Sequence, residues 1–508
     1  MEFNSIEFFI FLISVLIVIN CLRKSLYQQM ILVAASYVFY WSTSNYFVLL
    51  LLFITVISYQ AGEAIHSAAD LVRKKALLAG ALIFLLIPLG FFKYYNFGVE
   101  ILSQAPLPLN YYPLNYYLNL PILGLLLPIG ISFFTFSAIS YVIDIYRGTI
   151  QPEEKFYRYA LFISYFPHLL SGPIVRAGQF LPQLKNSISL SPANLKTGVT
   201  LMVWGFVKKF VIADNCAPVA NVIFSHPTSF NSLGIIIGTI FFGIQIYCDF
   251  SGYIDIALGA AELVGLHLPQ NFFRPYLSKN PTEFWRRWNI TLSSFIRDYI
   301  YIPLGGNRKG TLRTYFNLEI SMLLCGLWHG AAWNFIIWGG YHGVLQSVYK
   351  YLSGRTGSFS KKLPSLNIHL GLFVKIFITQ YFIFLGWIMF RVGNLSDMMY
   401  CIRKYVLLDF NFAYQSIGIK FYDSLFGAAL NLAPWIPFVL VSAFIIGLIL
   451  LVRNDYWMKK VTGFLTTDWT RFFSSVPNKY WMLYLITMVF ILLCFTPSAG
   501  SEFIYYQF

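Results

Sequence analysis

Charged residues are scarce in this 508-residue sequence, and their scarcity excludes an ordinary soluble protein. Lys, Arg, Asp and Glu make up 11% of the chain, whereas soluble domains carry about 25%. Hydrophobic residues reach 57%, and the mean hydropathy is +0.63. Apolar runs of about 17–25 residues recur and are continuous, which predicts transmembrane helices and not the alternating strands of a barrel. We therefore expect an all-α polytopic membrane protein.

Cysteine is also sparse, and its spacing argues against both disulfide bonds and metal sites. The six cysteines lie far apart with no CxxC pair, and no pair of histidines has the HExxH spacing of a zinc enzyme. This pattern argues against a disulfide framework and against a metal site. We expect no metal ion and no bound cofactor.

Acidic residues are outnumbered by basic ones, 21 to 36, which gives a formal net charge of +15. On a soluble protein such an excess can indicate nucleic-acid binding. In a membrane protein, however, Lys and Arg collect in cytoplasmic loops. We therefore predict no nucleic-acid partner and expect the basic loops to face the lipid bilayer or an acidic soluble partner.

No linker, repeat or low-complexity tract divides the chain, so residues 1–508 are predicted to form a single integral membrane domain. A re-entrant or broken helix is expected over 158–172, where Pro and Gly-Pro interrupt a short apolar run. The predicted transmembrane spans cover 6–22, 29–40, 46–59, 76–92, 121–146, 195–213, 233–266, 372–389, 435–451 and 480–494.

The distribution of basic residues orients these spans. With residue 1 outside, the basic clusters at 23–24, 73–75 and 147 all fall inside, as the positive-inside rule requires. The tyrosine-rich stretch 94–119 then falls outside. The segment 268–313, with eight basic and two acidic residues, belongs on the cytoplasmic face. We predict a protein of the inner (cytoplasmic) membrane with both termini outside.

The most unusual stretch is 282–343, which is basic and aromatic at its start and almost free of charge at its end. Its apolar part contains two histidines, His329 and His342. A titratable group in an apolar membrane segment is costly and marks a functional site by default. We predict that His329 is a general base. For His342, a structural role and a functional role both stay open.

The basic half of this stretch predicts a short amphipathic helix. Phe284 and Trp288 would share one face, and Arg286 and Arg287 would turn away from it. Such a helix can simply anchor the protein with its aromatic face in the membrane. Alternatively, the arginines can bind the phosphates of a nucleotide-like or carrier-bound donor.

Five motifs follow one another in this chain: LPIGISFFTFSAISYVIDIYRG (127–148), HLLSGPIVR (168–176), YCDFSGYIDIALG (247–259), EFWRRWNITLSSFIRDYIYIPLGGNRKG (283–310) and GLWHGAAWNFIIWGGYHG (326–343). Together they resemble the membrane-bound O-acyltransferase family, over most of 1–345. Within that family the chain is most similar to the alginate O-acetylation membrane proteins. The teichoic-acid D-alanylation proteins are more distant relatives.

The resemblance implies a ring of helices around a thin centre, with cytoplasmic and extracellular funnels and a catalytic core over 120–345. The family's catalytic histidine maps to His329, and its second polar position maps to Asn289. Here the chain departs from its branch, because it reads WNITLS where bacterial polysaccharide acetylators usually have WHxSLS. Asn289 can donate or accept a hydrogen bond but cannot act as a base. Proton transfer is therefore assigned to His329 alone.

The resemblance also implies the substrates. A thioester donor, acetyl-CoA or an acyl-carrier protein, would enter the cytoplasmic funnel lined by 274–313. Its acyl group, expected to be acetyl, would pass to an exported cell-envelope polysaccharide, directly or through an extracytoplasmic SGNH-type acetyltransferase. Substrate binding is assigned to the polar and aromatic residues around the two histidines: Trp285, Arg286, Arg287, Trp288, Arg297, Trp328 and His342.

The last six residues, 503–508, read FIYYQF. One interpretation is an aromatic belt at the outer interface. The other comes from resemblance: the segment is similar to the FxYxxF tail of the small partner of the D-alanylation enzyme, in which the tyrosine is proposed to carry the acyl group. Tyr505 occupies that position and is the predicted acyl relay, since a deprotonated phenol is a nucleophile whose ester stays reactive.

Three alternatives stay open at the level of sequence. D-alanyl transfer to teichoic acid would use the same site with a different acyl group. A transporter or flippase would use the polar groups to line a pathway, although no inverted repeat is visible. A scaffold would leave the chemistry to a partner.

Overall fold

The structure is a computed structural model, and it describes residues 5–104, 120–356, 368–408 and 476–497, together with Met1, Phe3, two short strands and Phe503–Ile504. The strands, Pro106–Leu107 and Asn110–Pro113, form an antiparallel hairpin. Every other regular element of the described residues is a helix. The prediction of an all-α polytopic protein is confirmed, with this hairpin as a small exception.

We number the helices of the described residues in chain order. They are α1 Ile6–Cys21, α2 Ser25–Ser44, α3 Val48–Ser67, α4 Leu71–Gln104, α5 Ile131–Tyr146, α6 Phe156–Ser164, α7 Phe166–Leu169, α8 Ala177–Phe180, α9 Pro192–Phe206, α10 Asp214–Ser225, α11 Ser232–Val264, α12 Pro281–Trp285, α13 Ile290–Ile296, α14 Thr311–His329, α15 Trp333–Thr356, α16 Ile368–Arg391, α17 Leu395–Leu407 and α18 Asn478–Phe495. Two further segments, Val207–Ala213 and Arg297–Tyr301, are π-helical.

Several of these helices are long and apolar enough to cross a membrane. Helices α1 and α5 are apolar but shorter, at 16 residues each. The protein is therefore a multi-pass membrane protein, as predicted. The predicted span 435–451 lies outside the described residues. In the part that the structure describes, the candidate spans are Ser25–Ser67, Leu71–Ser103, Ser232–Val264, Gly371–Arg391 and Asn478–Phe495.

Two predicted boundaries were wrong. The span expected over 121–146 is helical only from Ile131, because the chain turns at Gly130, which has a φ of 80°. Conversely, α4 does not end before Lys93 but continues to Gln104, into the stretch predicted as an outer loop. Apolar residues beyond Lys93 extend the helix, so this lysine lies within a helix and not at its end.

The break predicted within 158–172 is present. Helix α6 ends at Ser164, Tyr165 has non-helical dihedral angles, and the four-residue α7 follows with Pro167 in its first turn. The residues from Tyr159 to the end of α7 are buried, so the interrupted backbone lies inside the protein and not against lipid.

Two groups of closely packed helices position the functional residues. The long α11 packs along α9 and α10 and also contacts α16 and α17. Helices α14 and α15 form a hairpin around Gly330, whose extended backbone ends α14. They approach so closely that a Cβ atom at Gly326 or Gly339 would overlap the facing backbone. His329 is thereby held at the end of a helix within the protein.

Candidate active site

His329 is the last residue of α14, and its side chain is buried. Three aromatic rings surround the imidazole edge-on: Trp328 at 4.7 Å, Trp338 at 5.0 Å and Phe390 at 5.2 Å between centroids. These rings come from α14, α15 and α16, so three helices define the position of one histidine. An apolar surrounding of this kind favours the neutral imidazole, which is the form that can accept a proton.

The end of α14 is capped by two residues of α4. Lys93 Nζ donates hydrogen bonds to the main-chain carbonyls of Trp328 and His329, the latter at 3.2 Å, and Tyr94 Oη donates to the carbonyl of Leu327 at 2.9 Å. A cation at a helix C-terminus complements both the free carbonyls and the helix dipole. The backbone that carries His329 is therefore tied to a second helix.

His342 lies one layer behind His329. Its ring centroid is 4.9 Å from Trp338 and 5.2 Å from Trp285, and Trp338 therefore contacts both histidines. Gly386 of α16 provides the space, because a Cβ atom there would lie 2.8 Å from His342 Nε2. His342 is buried in this layer and does not line either of the two cavities described below.

The aromatic face of the predicted amphipathic helix is buried inside the protein and does not face lipid. The regular helix is only five residues long, and its aromatic side chains are buried within the protein. Trp288 packs 4.8 Å from Trp387 of α16, and Trp285 packs 5.7 Å from Trp338 of α15. The expectation of an interfacial anchor was wrong because neighbouring helices, and not lipid, cover these rings.

The two neighbouring arginines have different surroundings. Arg286 is exposed and lines a cavity of about 720 Å³, the larger of two beside α14. Arg287 pairs with Glu283 at 2.5 Å and stacks over the ring of Phe273. Only Arg286 is thus directed toward the space in which a donor could bind.

Arg297 also faces the larger cavity and pairs with Asp298, Nε to Oδ1, at 2.7 Å. Arg176 contacts the same carboxylate at 2.5 Å. Burial opposes ionisation of Asp298, but the hydrogen bonds from Arg297 and Arg176 outweigh it and hold the pKa of this carboxyl below its ordinary value. The single carboxylate of Asp298 neutralises only one of the two guanidinium charges, so a net positive charge remains at the rim of the cavity.

Asn289 joins α12 to α13 in a left-handed conformation, with a φ of 41°. Asparagine tolerates this region better than most residues. The side chain is buried, and its amide nitrogen donates no hydrogen bond within the part of the chain that the structure describes. Its neighbour Trp288 connects it, through Trp387 and Trp338, to the aromatic layer around His329.

Unpaired polar atoms gather in this layer. Buried donors and acceptors in proteins nearly always have partners, so a cluster of exceptions indicates a place for a polar ligand. Among the described residues, the buried atoms in or next to this aromatic layer without a hydrogen-bond partner are Trp285 Nε1, Asn289 Nδ2, Trp328 Nε1, Trp338 Nε1, both ring nitrogens of His342 and Trp387 Nε1.

Two cavities lie along α14. The larger, the basic vestibule, has a volume of about 720 Å³, and its wall includes Arg286, Arg297, Lys350, Trp285 and Cys325. The smaller has a volume of about 80 Å³. Its wall includes Lys93, Ser171, Trp328 and His329.

Sequence reasoning missed several residues of this site. Lys350 and Lys93 were overlooked, although Lys93 follows directly on an apolar run, where a lysine is itself a signal of function. Among the described residues, no group of three or more His, Cys, Asp or Glu side chains could hold a metal ion. The predicted relay, Tyr505, lies outside the described residues, whereas Phe503 and Ile504 just before it are buried.

Comparisons with known proteins agree with this architecture. The model of the membrane-bound O-acyltransferase family matches residues 153–390. A probable alginate O-acetylase of Pseudomonas putida is 35% identical and aligns over 100% of both chains. A peptidoglycan O-acetyltransferase of Helicobacter pylori is 36% identical over 76% of this chain and 75% of its own.

More distantly, a teichoic acid D-alanyltransferase of Bacillus subtilis is 29% identical over 47% of this chain and 62% of its own length. The full-length relative with 35% identity extends the similarity well beyond the matched family region. The chain therefore belongs to the membrane-bound O-acyltransferase family and is an O-acyltransferase.

Proposed function

We propose that this protein moves an acetyl group from a cytoplasmic thioester donor, acetyl-CoA or an acyl-carrier protein, across the membrane for O-acetylation of an exported cell-envelope polysaccharide. The relatives that support this proposal are named for O-acetylation of alginate and of peptidoglycan. Both polymers lie outside the cytoplasm, while thioester donors are made inside it. The protein would bridge these compartments from the inner membrane.

The observation that carries the proposal is the course of α14 between the two cavities. Met322 and Cys325 line the basic vestibule, and His329 lines the smaller cavity. These residues, at positions i, i+3 and i+7, share one helix face. Cys325 and His329 are one turn apart, about 6 Å along the axis. A thioester arm that fills the vestibule would thus end close to the histidine.

The chemistry follows from this arrangement. Arg286, Arg297 and Lys350 would bind the phosphates of the donor, since guanidinium and ammonium groups form charge-assisted hydrogen bonds with them. His329 would take the proton of the accepting hydroxyl as that oxygen attacks the thioester carbonyl. When the carbon–sulfur bond breaks, the leaving thiolate would receive the proton from the imidazolium. The large polar part of the donor need never cross the membrane.

The proposed first acceptor is the phenol of Tyr505, which would carry the acetyl group as an aryl ester. A hydroxyl of an SGNH-type acetyltransferase or of the polysaccharide would then take it from the outer side. In this scheme the basic vestibule opens to the cytoplasm, and both termini lie outside. The residue that matches the family's base, His329, and the relay are then on one chain.

The test is acetyl transfer by His329→Gln in cells that carry the polymer. We expect polymer-bound acetate, measured by NMR of the purified polysaccharide, to fall by at least about 100-fold, because general-base catalysis contributes roughly 10²–10⁴-fold. His168→Gln is the matched control, since His168 is also buried but contacts the Phe162 carbonyl at 3.1 Å and the rings of Tyr165 and Phe180, and it lines neither cavity. Full acetylation with His329→Gln, at equal membrane levels, would end the proposal.

One second candidate is D-alanyl transfer, which the similarity to a teichoic acid D-alanyltransferase favours. It uses the same histidine and vestibule, so geometry does not separate the two. The two acyl groups can be distinguished by supplying labelled acetate and labelled alanine in parallel. The label that reaches the envelope polymer in a His329-dependent manner identifies the acyl group. Incorporation of alanine alone would replace the acetyl assignment.

A further inference from the structure

A buried ion cluster lies away from the histidine site. Lys209 Nζ pairs with Asp214 Oδ1 at 3.0 Å and with Asp249 Oδ1 at 2.8 Å. All three side chains are almost completely buried, with exposures of 0–3%. Charges buried between apolar helices are costly, and inside a membrane protein they mark a function by default.

The local fold places these charges together. The main-chain N–H of Asp214 bonds to the carbonyl of Lys209, five residues back, within the π-helical segment. In a regular α-helix such residues would differ by about 140° around the axis, whereas the π-helical segment brings them onto one side. Helices α9 and α11 also cross closely, since a Cβ atom at Gly205 would lie 2.6 Å from the carbonyl oxygen of Gly252. This close approach brings Asp249 within reach of Lys209.

The cluster binds the C-terminal segment of the same chain. Asp249 Oδ2 accepts a hydrogen bond of 2.6 Å from the main-chain N–H of Ile504. The ring of Phe503 lies 4.5 Å from Lys209 Nζ, in a cation–π contact. Phe503 also packs edge-on against Tyr253 at 5.0 Å, and Tyr253 stacks on Phe3 at 4.8 Å. Both Phe503 and Ile504 are at most 4% exposed.

We propose that Lys209, Asp214 and Asp249 form an anchor that holds the main chain of the C-terminal segment and so positions Tyr505. The anchor therefore binds an aromatic residue that is followed by a residue with a main-chain N–H and a buried apolar side chain. One of the two Asp249 oxygens is used by Lys209, which leaves the other for the tail.

This inference rests on the proposed relay by Tyr505. Consecutive Cα atoms are about 3.8 Å apart, so an anchored Ile504 limits where the next side chain can reach. A reacting group that is held near its target gains rate, and a displacement of about 1 Å can cost about 100-fold. The anchor residues would touch neither the thioester nor the hydroxyl. They are positioning residues, and their loss should lower transfer from Tyr505 without affecting donor binding.

The experiment uses the full-length protein in membranes, with two readouts. Carboxypeptidase digestion measures whether the tail is docked, and mass spectrometry of the C-terminal peptide after incubation with acetyl-CoA measures acylation. Ile504→Pro removes the N–H donor and leaves every buried charge paired. Ile504→Val retains the N–H and most of the buried side chain and is close to proline in size, so it is the control. Asp249→Leu removes the acceptor, and Asp249→Asn, which keeps an acceptor oxygen, is its conservative partner.

We expect Ile504→Pro and Asp249→Leu to speed the release of the tail by about 10- to 100-fold, the range for losing a hydrogen bond to a charged group. Acylation of the C-terminal peptide should fall in parallel, while the apparent KM for the donor stays unchanged. Ile504→Val and Asp249→Asn should stay near wild type in both readouts. Tyr505→Phe should lose acylation but keep the tail protected.

Two outcomes separate the anchor from the relay. If the tail stays protected in both Ile504→Pro and Asp249→Leu, the anchor is wrong whatever happens to acylation. If protection is lost while polymer acetylation continues at the wild-type rate, the anchor holds the tail but does not position a relay, and the positioning role is overturned together with the Tyr505 step. Ile504→Pro leaves the ion cluster intact. The test therefore still stands if Asp249→Leu fails to fold.

Discussion

Lys93 and His329 are 236 positions apart in the sequence, yet Lys93 Nζ donates a hydrogen bond of 3.2 Å to the main-chain carbonyl of His329. This bond ties the helix end that carries the predicted base to the middle of α4. The lysine also lines the smaller cavity beside the histidine. Its removal is therefore expected to displace the base without removing it.

We predict that Lys93→Met lowers acyl transfer by about 10- to 100-fold, since the carbonyls at the end of α14 lose their cation and the imidazole can shift by a fraction of an ångström. Transfer is measured with labelled donor in membrane vesicles, normalised to inserted protein. Lys93→Arg keeps a cation and should recover part of the rate. A wild-type rate in Lys93→Met would show that this cap does not support catalysis.

The neighbouring arginines provide a matched pair. Arg286→Gln should raise the apparent KM for the thioester donor by about 10-fold, because it removes a cation that faces the vestibule. Arg287→Gln should change that KM little, because Arg287 pairs with Glu283 outside the vestibule wall. Donor titrations of both variants are the measurement. Equal effects of the two substitutions would refute a directional role for Arg286.

Asn289 can be tested separately for its backbone and for its amide. Asn289→Gly accepts the left-handed conformation but lacks the amide side chain. Asn289→Ala lacks the amide and also disfavours the left-handed conformation. We expect both variants to lose activity, and only Asn289→Ala to lose about 1 kcal/mol of stability as well. Thermal unfolding and acyl transfer are measured side by side. Retained activity in Asn289→Gly would assign Asn289 to the fold alone.

Gly386 tests whether the aromatic layer transmits changes to His329. A methyl group at Gly386 would press on His342, which contacts Trp338, which in turn contacts His329. We predict that Gly386→Ala costs about 1–3 kcal/mol of stability and reduces transfer. The double variant Gly386→Ala/His342→Ala should recover part of both, since the second change removes the clash. Strict additivity of the two substitutions would indicate that the sites are not coupled.

Much of this architecture could be predicted from the sequence. Scarce charge and continuous apolar runs predict the helical membrane fold, and Pro167 predicts the break between α6 and α7. These features are local, so a single segment is enough to recognise them. The placement of His329 in an apolar segment could also be predicted, because the second half of 282–343 is almost free of charge.

The remainder depends on contacts between distant segments. The burial of Trp285 and Trp288 could not be distinguished from membrane anchoring, since α15 and α16 cover them and the amphipathic pattern is the same in either case. Lys93 was treated as the end of a span because its partners lie more than 230 positions away. Asp249 lies inside the predicted span 233–266, but its pairing with Lys209 depends on the close crossing of α9 and α11, and the pairing of Asp214 with Lys209 depends on the π-helical segment.

The π-helical segment also determines the direction in which the side chains of the following helix, α10, point. Removing one residue from Val207–Ala213 would allow a regular α-helix, and every later side chain of α10 would turn by about 100°. Asp214 would then leave Lys209, although no charged residue had been deleted. The anchor thus depends on the number of residues between Lys209 and Asp214 as much as on their identity. The same side chains at this spacing on a regular α-helix would not reproduce it.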